Sequence, residues 1–215
     1  MQELTLLQKI SVWALPVLFA ITLHEVAHGW AAKKFGDRTA EQQGRLSLNP
    51  LEHIDPIGTL LVPGLMLLTT GMIFGWAKPV PVDFGRLRNP RMDMVWVALA
   101  GPGANLLMAI FWALMIRLAI LLQSDFLSQP LGLMGQAGIS INVVLMVLNL
   151  LPLPPLDGGR VALGLLPSRM AYKYSKVEPY GFYILLFLMW TNLLWFFMGL
   201  PVSIFQALMS GIAGI

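Results

Sequence analysis

The sequence predicts an α-helical integral membrane protein: a bundle of about four spanning helices with a re-entrant or broken segment and a short membrane-associated β-strand region. Hydrophobic residues make up 57% of the 215 residues and charged residues only 12%. Soluble domains carry about a quarter charged residues. With a mean hydropathy of +0.71, we therefore expect the chain to reside in a lipid bilayer.

Long uncharged runs locate the spanning helices, each of which needs roughly 20 apolar residues. They predict crossings at about 5–32, 93–122, 133–153 and 180–198 within a single transmembrane domain of residues 1–215. The core of this domain is expected at about 10–165, and residues 200–215 on their own are too short for a further crossing. The first run is interpreted as a retained span, because polar residues rather than a small-residue cleavage site follow it.

Basic residues predict the orientation of the bundle. Twelve of the fourteen fall in three loops, which the positive-inside rule assigns to the cytoplasm. They are Lys33, Lys34, Arg38 and Arg45; Lys78, Arg86, Arg88 and Arg91; and Arg160, Arg169, Lys173 and Lys176. Both termini are then expected on the outer face. Basic residues scattered among apolar spans do not indicate a nucleic-acid partner, so the lipid bilayer is the partner that the composition implies.

The segment 56–77 lies between two of these basic loops, so it is predicted to re-enter the membrane rather than cross it. The following stretch 78–82 is predicted to be an extended edge strand, because prolines forbid a helix there and valines alternate with them. Pro79, Val80 and Pro81 would then bind a substrate strand. The alternative is a proline-rich loop without a role in recognition.

The chemistry begins with His24, Glu25 and His28, which form the pattern HExxH. On a helix the i and i+4 spacing puts both imidazoles on one face, where they can share a zinc ion. Glu25 lies beside them and can act as the base that takes a proton from metal-activated water. The chain has no Cys and only three His, so a third protein ligand must be His53 or a carboxylate.

Asp157 is the best candidate for that third ligand. It ends a 31-residue uncharged run, in a proline-interrupted segment followed by two glycines. Backbone broken at membrane depth is tolerated only where it is buried in protein or lines a cavity. Two alternatives are that Asp157 only caps a helix starting at Gly158, and that Asp55 supplies the third carboxylate.

Three motifs occur in order on apolar segments: His24-Glu25-x-x-His28, Gly101-Pro102-Gly103-Ala104-Asn105, and Asn149-x-x-Pro152-x-Pro154-x-x-Asp157-Gly158-Gly159. In these motifs, over about residues 10–165, the chain resembles the site-2 protease family of intramembrane zinc metalloproteases, specifically its compact prokaryotic members. The resemblance implies a multi-pass protein of the prokaryotic cell membrane with its active site towards the cytoplasm. It also implies one Zn²⁺ per chain, held by His24, His28 and Asp157, with Glu25 as catalytic base and transmembrane proteins as substrates.

Other residues in these motifs are assigned supporting roles. Asn149 matches the family's asparagine and would hydrogen-bond the substrate backbone or transition state, unless it only caps or bridges helices. We hypothesise that His53 donates to the developing oxyanion; the alternative is an exposed loop histidine. Gly101 and Asn105 are expected to be structural, since glycine permits close helix approach and asparagine bonds across helices.

Three functions are compatible with these residues. The leading prediction is an intramembrane zinc metalloprotease, a hydrolase acting in regulated intramembrane proteolysis. A membrane transporter or metal-binding protein is the alternative, because the same His and Asp side chains can form an ion path. Such a protein has no need of Glu25. A silent scaffold is the third possibility, against which the intact set of His, Glu, His and Asp argues.

Overall fold

A computed structural model describes residues 5–62, 65, 75–124 and 126–215. Its α-helices in these ranges are α1 (Leu6–Lys34), α2 (Thr39–Gln42), α3 (Pro90–Leu122), α4 (Ser128–Asn149), α5 (Asp157–Leu165), α6 (Ser168–Ser175), α7 (Glu178–Trp190) and α8 (Leu193–Ala213). Short helical turns cover Pro50–His53, Pro56–Leu61 and Phe84–Arg86.

Four helices are long and apolar enough to cross a membrane: Leu7–Lys34, Pro90–Leu122, Ser128–Asn149 and Leu193–Ala213. The predicted multi-pass helical bundle of four spans is therefore confirmed. The crossing expected at about 180–198 is displaced, because α7 has only 13 residues and ends at Trp190. Thirteen residues extend about 20 Å, which is short of a bilayer core of about 30 Å. Asn192, with φ of 59°, interrupts the helix, and α8 provides the fourth span.

The predicted β-strand region is not found, since the described residues include no strand and 75–83 has neither helical nor strand structure. The reason lies in the backbone donors. Pro79 and Pro81 have no amide hydrogen, and the amide of Val80 donates to a side chain, the Glu25 carboxylate, at 2.9 Å. The described part of the chain offers this segment no strand with which to form a ladder.

The predicted re-entrant segment 56–77 lies partly outside the described residues, but its two ends are in contact. The amide of Trp76 donates to the carbonyl of Gly58 at 3.0 Å. The hydroxyl of Thr59 donates to the carbonyl of Trp76 at 2.8 Å. A segment whose ends are hydrogen-bonded to each other cannot connect opposite faces of the membrane.

Helix α3 is the centre of the bundle and packs against α1, α4, α5 and α8. The main core cluster joins α3, α4 and α8 through Ala109, Trp112, Ala113, Ile116, Ile139, Val143, Met146, Val147, Met198, Val202, Met209 and Ala213. Small residues let these helices approach closely. A Cβ added to Gly138 would lie 2.2 Å from the Trp112 ring. Helix α3 also contacts both elements that carry the predicted metal ligands, α1 and α5.

Candidate metal centre

Three predicted ligands converge at one point. His24 and His28 lie one turn apart on α1, and their Nε2 atoms are 3.1 Å from each other. Oδ2 of Asp157, the first residue of α5, is 3.2 Å from Nε2 of His24 and 3.3 Å from Nε2 of His28. All three side chains are largely buried, with exposed fractions of 9%, 12% and 13%. The structure thus brings together the ligand set predicted from the sequence.

The hydrogen bonds of the two Nδ1 atoms indicate which nitrogen of each neutral histidine ring carries the proton. Nδ1 of His28 lies 2.7 Å from the carbonyl oxygen of Val97, which can only accept a hydrogen bond. Nδ1 of His24 lies 2.6 Å from Oδ1 of Asn105. Each neutral ring therefore carries its proton on Nδ1 and directs the lone pair of Nε2 towards Asp157. Such an outer partner is the usual companion of a metal-binding histidine.

The backbone around Asp157 explains how its carboxylate reaches the histidines. A Cβ on Gly158 would lie 2.3 Å from the carbonyl oxygen of Leu150, and one on Gly159 would lie 2.6 Å from the nitrogen of Pro154. Only glycine at both positions lets the start of α5 pack on the preceding loop. Asp157 is within the first turn, Leu156 is the N-cap, and no side chain caps the helix. The capping alternative for Asp157 is therefore wrong.

Gly101 of α3 forms the surface against which both histidine rings pack. A Cβ there would lie 2.4 Å from Nε2 of His28 and 2.7 Å from Cε1 of His24. Real Cβ atoms essentially never approach other atoms this closely. The expected structural role of Gly101 thus includes a direct contact with the predicted ligands.

Glu25 is half-buried beside this group and accepts the Val80 amide through Oε2 at 2.9 Å. Val80 reaches it because Gly29 has no side chain; a Cβ at Gly29 would lie 2.8 Å from Cγ1 of Val80. The segment is also held by Arg45, whose guanidinium donates to the carbonyl of Lys78 at 3.1 Å. One carboxylate oxygen of Glu25 is thus fixed by main chain.

The remaining predicted residues lie outside the three-ligand group. Asn149 ends α4, and its Nδ2 donates to the carbonyl of Leu145 at 3.0 Å. His53 is 2% exposed, so the alternative of an exposed loop histidine is wrong; its Nε2 lies 2.9 Å from the carbonyl of Ser47. Asp55 accepts the amides of Ile57 and Gly58, so it serves as a helix cap and not as the third ligand.

Sequence reasoning missed three groups at this site: the Val97 carbonyl, the Val80 amide and the side chain of Asn142. Asn142 is fully buried in α4 and accepts a hydrogen bond from Asn105 at 2.9 Å. An asparagine inside an apolar spanning helix is a usable signal, because such residues face the bundle interior. The two backbone groups leave no trace in the sequence.

The donor set fits zinc. In a tetrahedral site with bonds of about 2.0–2.1 Å, neighbouring ligand atoms are separated by about 3.3–3.4 Å, and the three distances here are 3.1, 3.2 and 3.3 Å. Oδ2 of Asp157 is buried and accepts no hydrogen bond. Two imidazole lone pairs and a carboxylate oxygen that face one another repel unless a cation lies between them.

A spanning helix bundle with an HExxH helix and a carboxylate from a second element defines a class, the membrane-embedded metallohydrolases. The family model described as "Peptidase family M50" matches residues 121–192. The chain is 41% identical over 180 residues to "Putative zinc metalloprotease YwhC" of Bacillus subtilis, covering 82% of this chain and 79% of the relative. It is 32% identical over 187 residues to "Putative zinc metalloprotease Rip2" of Mycolicibacterium smegmatis, covering 84% and 68%.

The chain belongs to peptidase family M50, the site-2 protease family that its motifs predicted. It is thus a zinc-dependent membrane protease, a hydrolase, and the transporter alternative is not favoured. A third relative, the Rip2 protein of Mycobacterium tuberculosis, is 31% identical over 145 residues, which cover 66% of this chain and 52% of the relative. No solved structure matches the chain.

Proposed function

We propose that this protease cleaves transmembrane protein substrates inside the bilayer, as in regulated intramembrane proteolysis. The observation that supports the proposal is the depth of the ligand pair on its helix. His24 stands ten residues before the end of α1 at Lys34, which corresponds to about 15 Å of helix. A peptide bond must come to that depth to be cut, and a membrane-embedded substrate supplies one there.

In this proposal His24, His28 and Asp157 hold one zinc ion. When bound, zinc supplies a Lewis acid that polarises the scissile carbonyl and makes water acidic enough to lose a proton near neutral pH. Glu25 receives that proton and passes it to the departing amine. Because the Val80 amide holds Oε2, Oε1 is the oxygen that exchanges the proton.

Asn149 is proposed to hold the substrate backbone. One of its amide hydrogens is used by the carbonyl of Leu145, which leaves Oδ1 and the second hydrogen for a peptide group. His53 is proposed to stabilise the oxyanion. Since Nε2 faces the Ser47 carbonyl and Nδ1 is buried without a partner, that role needs a protonated ring or the release of Ser47.

Residues 79–81 remain the proposed substrate-binding segment. They have fewer backbone groups free to hydrogen-bond a substrate than an edge strand would have. Val80 has given its amide to Glu25, and Arg45 lies 3.4 Å from the carbonyl of Pro79. Within the described residues the carbonyls of Val80 and Pro81 accept no backbone hydrogen bond, and in this proposal they accept hydrogen bonds from an extended substrate.

We propose that the protein resides in a prokaryotic cell membrane with the active site towards the cytoplasm, because the basic loops cluster on one side. The chain contains no Cys, so single cysteines introduced at the exposed positions Gln43 and Gln129 can be labelled cleanly. In whole cells an impermeant thiol reagent should label position 129 and leave position 43 unlabelled. Labelling of position 43 alone would reverse the orientation.

The test of the function compares wild type with Glu25→Gln in liposomes, measuring bound zinc together with cleavage of a labelled panel of transmembrane peptides. Both proteins should bind one zinc per chain, and the variant should lose cleavage by about 100- to 10,000-fold. Glu178→Gln, at an exposed glutamate on α7, is the control and should cleave like wild type. Equal cleavage by Glu25→Gln would remove the catalytic role of Glu25, and a zinc-free folded wild type would remove the metal site.

A further inference from the structure

Two asparagines link the metal centre to a neighbouring helix through the interior of the bundle. Asn105 on α3 and Asn142 on α4 are both 0% exposed. Nδ2 of Asn142 donates to the carbonyl of Gly138 at 2.8 Å. Nδ2 of Asn105 donates to Oδ1 of Asn142 at 2.9 Å and to the carbonyl of Ala20 at 3.1 Å. Oδ1 of Asn105 then faces Nδ1 of His24.

These hydrogen bonds all point in one direction. The carbonyl of Gly138 can only accept, so it must face the NH₂ group of Asn142, and the oxygen of Asn142 must face Asn105. The NH₂ group of Asn105 therefore faces Asn142 and Ala20, and its oxygen faces His24. Amide orientation is assigned from such networks, and in this one each asparagine donates to a backbone carbonyl. It dictates a proton on Nδ1 of His24 and a lone pair on Nε2.

The second histidine is fixed differently. Nδ1 of His28 bonds directly to the main-chain carbonyl of Val97, a group that side-chain substitution cannot remove. His24 depends instead on the amide side chain of Asn105, whose NH₂ group is oriented by two acceptors, Oδ1 of Asn142 and the carbonyl of Ala20. Of the two predicted ligands, only His24 relies on a side-chain network for its tautomer.

We propose that Asn142 is a positioning residue for the zinc site, although it contacts neither a ligand nor substrate. Together with the Ala20 carbonyl it orients the Asn105 amide, and Asn105 thereby presents the unprotonated Nε2 of His24 to the metal. The proposal rests on the proposed ligand role of His24. Partners in the outer shell of a metal site typically contribute 10- to 100-fold to affinity, and the more distant Asn142 is expected at the lower end, about tenfold.

The first measurement is the ¹⁵N NMR spectrum of the metal-free protein with labelled histidine side chains, recorded at a pH high enough for both rings to be neutral, which distinguishes the two tautomers of each ring. Wild type should show both His24 and His28 protonated on Nδ1. Asn142→Leu should give a mixture of tautomers at His24 and leave His28 unchanged. The measurement needs neither zinc nor proteolysis, so its outcome is independent of the proposed function.

The second measurement is zinc affinity by competition with a chelator. Asn142→Leu should bind zinc about tenfold more weakly, and Asn142→Asp should restore binding, because a protonated carboxyl can donate to Gly138 and accept from Asn105. In an Asn105→Leu background the effect of Asn142→Leu should disappear, since the link to His24 is already broken. Val143→Ala, at the adjacent buried position, is the control for lost packing and should bind zinc like wild type.

Three results would overturn the proposal: unchanged tautomers at His24, equal changes at both histidines, or the same loss of affinity with and without Asn105. If Asn142→Leu does not fold, Asn142→Ala provides the same comparison with a smaller side chain. A wild type that binds no zinc would instead refute the metal site, while the tautomer result would still judge the role of Asn142.

Discussion

Substituting Gly101 by alanine should remove zinc binding while leaving the helix bundle folded. The new Cβ would lie 2.4 Å from Nε2 of His28, whereas non-bonded heavy atoms settle at about 3.5 Å or more. The ring must therefore move by about 1 Å. Zinc–ligand distances tolerate only about 0.2 Å, so this shift removes His28 as a ligand. We expect zinc affinity to fall on the order of 100-fold or more.

Gly103→Ala is the matched control, two residues along α3. A Cβ there has no atom within 4 Å, so the substitution should leave zinc binding unchanged. Both variants gain about 1 kcal/mol of helix propensity, which means that a loss of zinc at Gly101 alone cannot be attributed to a weakened helix. Helix content by circular dichroism should be the same in both.

The assay is competition for zinc with a chromophoric chelator in detergent, combined with thermal unfolding before and after chelation. Wild type and Gly103→Ala should lose thermal stability when zinc is removed, because a ligand that binds only the folded state stabilises it. Gly101→Ala should show no such response. If Gly101→Ala binds zinc as tightly as Gly103→Ala, the packing of the two rings against Gly101 does not determine the site.

Three further predictions concern the surroundings of the site. Val80→Pro removes the amide hydrogen that Glu25 accepts and should lower kcat by roughly 10- to 100-fold with zinc still bound, since a hydrogen bond to a charged group contributes about 1.5–3 kcal/mol. Val80→Ala keeps the amide and should cleave at near wild-type rates. Equal rates for the two variants would refute a role of this hydrogen bond in catalysis. His53→Ala should keep zinc and lower kcat by about 100-fold, and near-normal turnover would leave His53 only a structural role. Burial raises the pKa of the Asp37 carboxyl. The hydrogen bonds that the carboxylate accepts from the Thr39 hydroxyl and from the amides of Thr39 and Asp83 lower the pKa by more than burial raises it, so it lies below its ordinary 3.8. Its stabilisation is therefore present above pH 3.8 and lost as pH falls through the folded-state pKa. The melting temperature of wild type should exceed that of Asp37→Asn at pH 7 and approach it near pH 3, and a constant difference would refute the assignment.

The ligand set was predictable because each ligand leaves a local signal. His24 and His28 share a helix face by spacing alone, and Asp157 ends a long uncharged run beside glycines that the backbone requires. The orientation of the histidines was not predictable, since it depends on the Val97 carbonyl and on side chains distant in sequence. A carbonyl is present at every residue, so only the packing of α3 on α1 selects Val97.

The errors in the fold have physical causes of the same kind. The strand at 78–82 was inferred from alternating residues, but a strand needs a partner, and the sequence contains no signal that the Val80 amide bonds to Glu25. The crossing at 180–198 was inferred from hydropathy, which is averaged over many residues and does not detect a single residue in the left-handed conformation, such as Asn192, that ends a helix. Both patterns were local, whereas the outcome was decided by a tertiary contact and by a single backbone conformation.

The contact between Glu25 and Val80 also fixes the register of residues 79–81 against α1. Pro79 and Pro81 flank Val80, and neither has a hydrogen on its nitrogen. A slip of one residue in either direction would bring a proline nitrogen to the Glu25 carboxylate and leave it without a donor. The two prolines thus exclude both neighbouring registers.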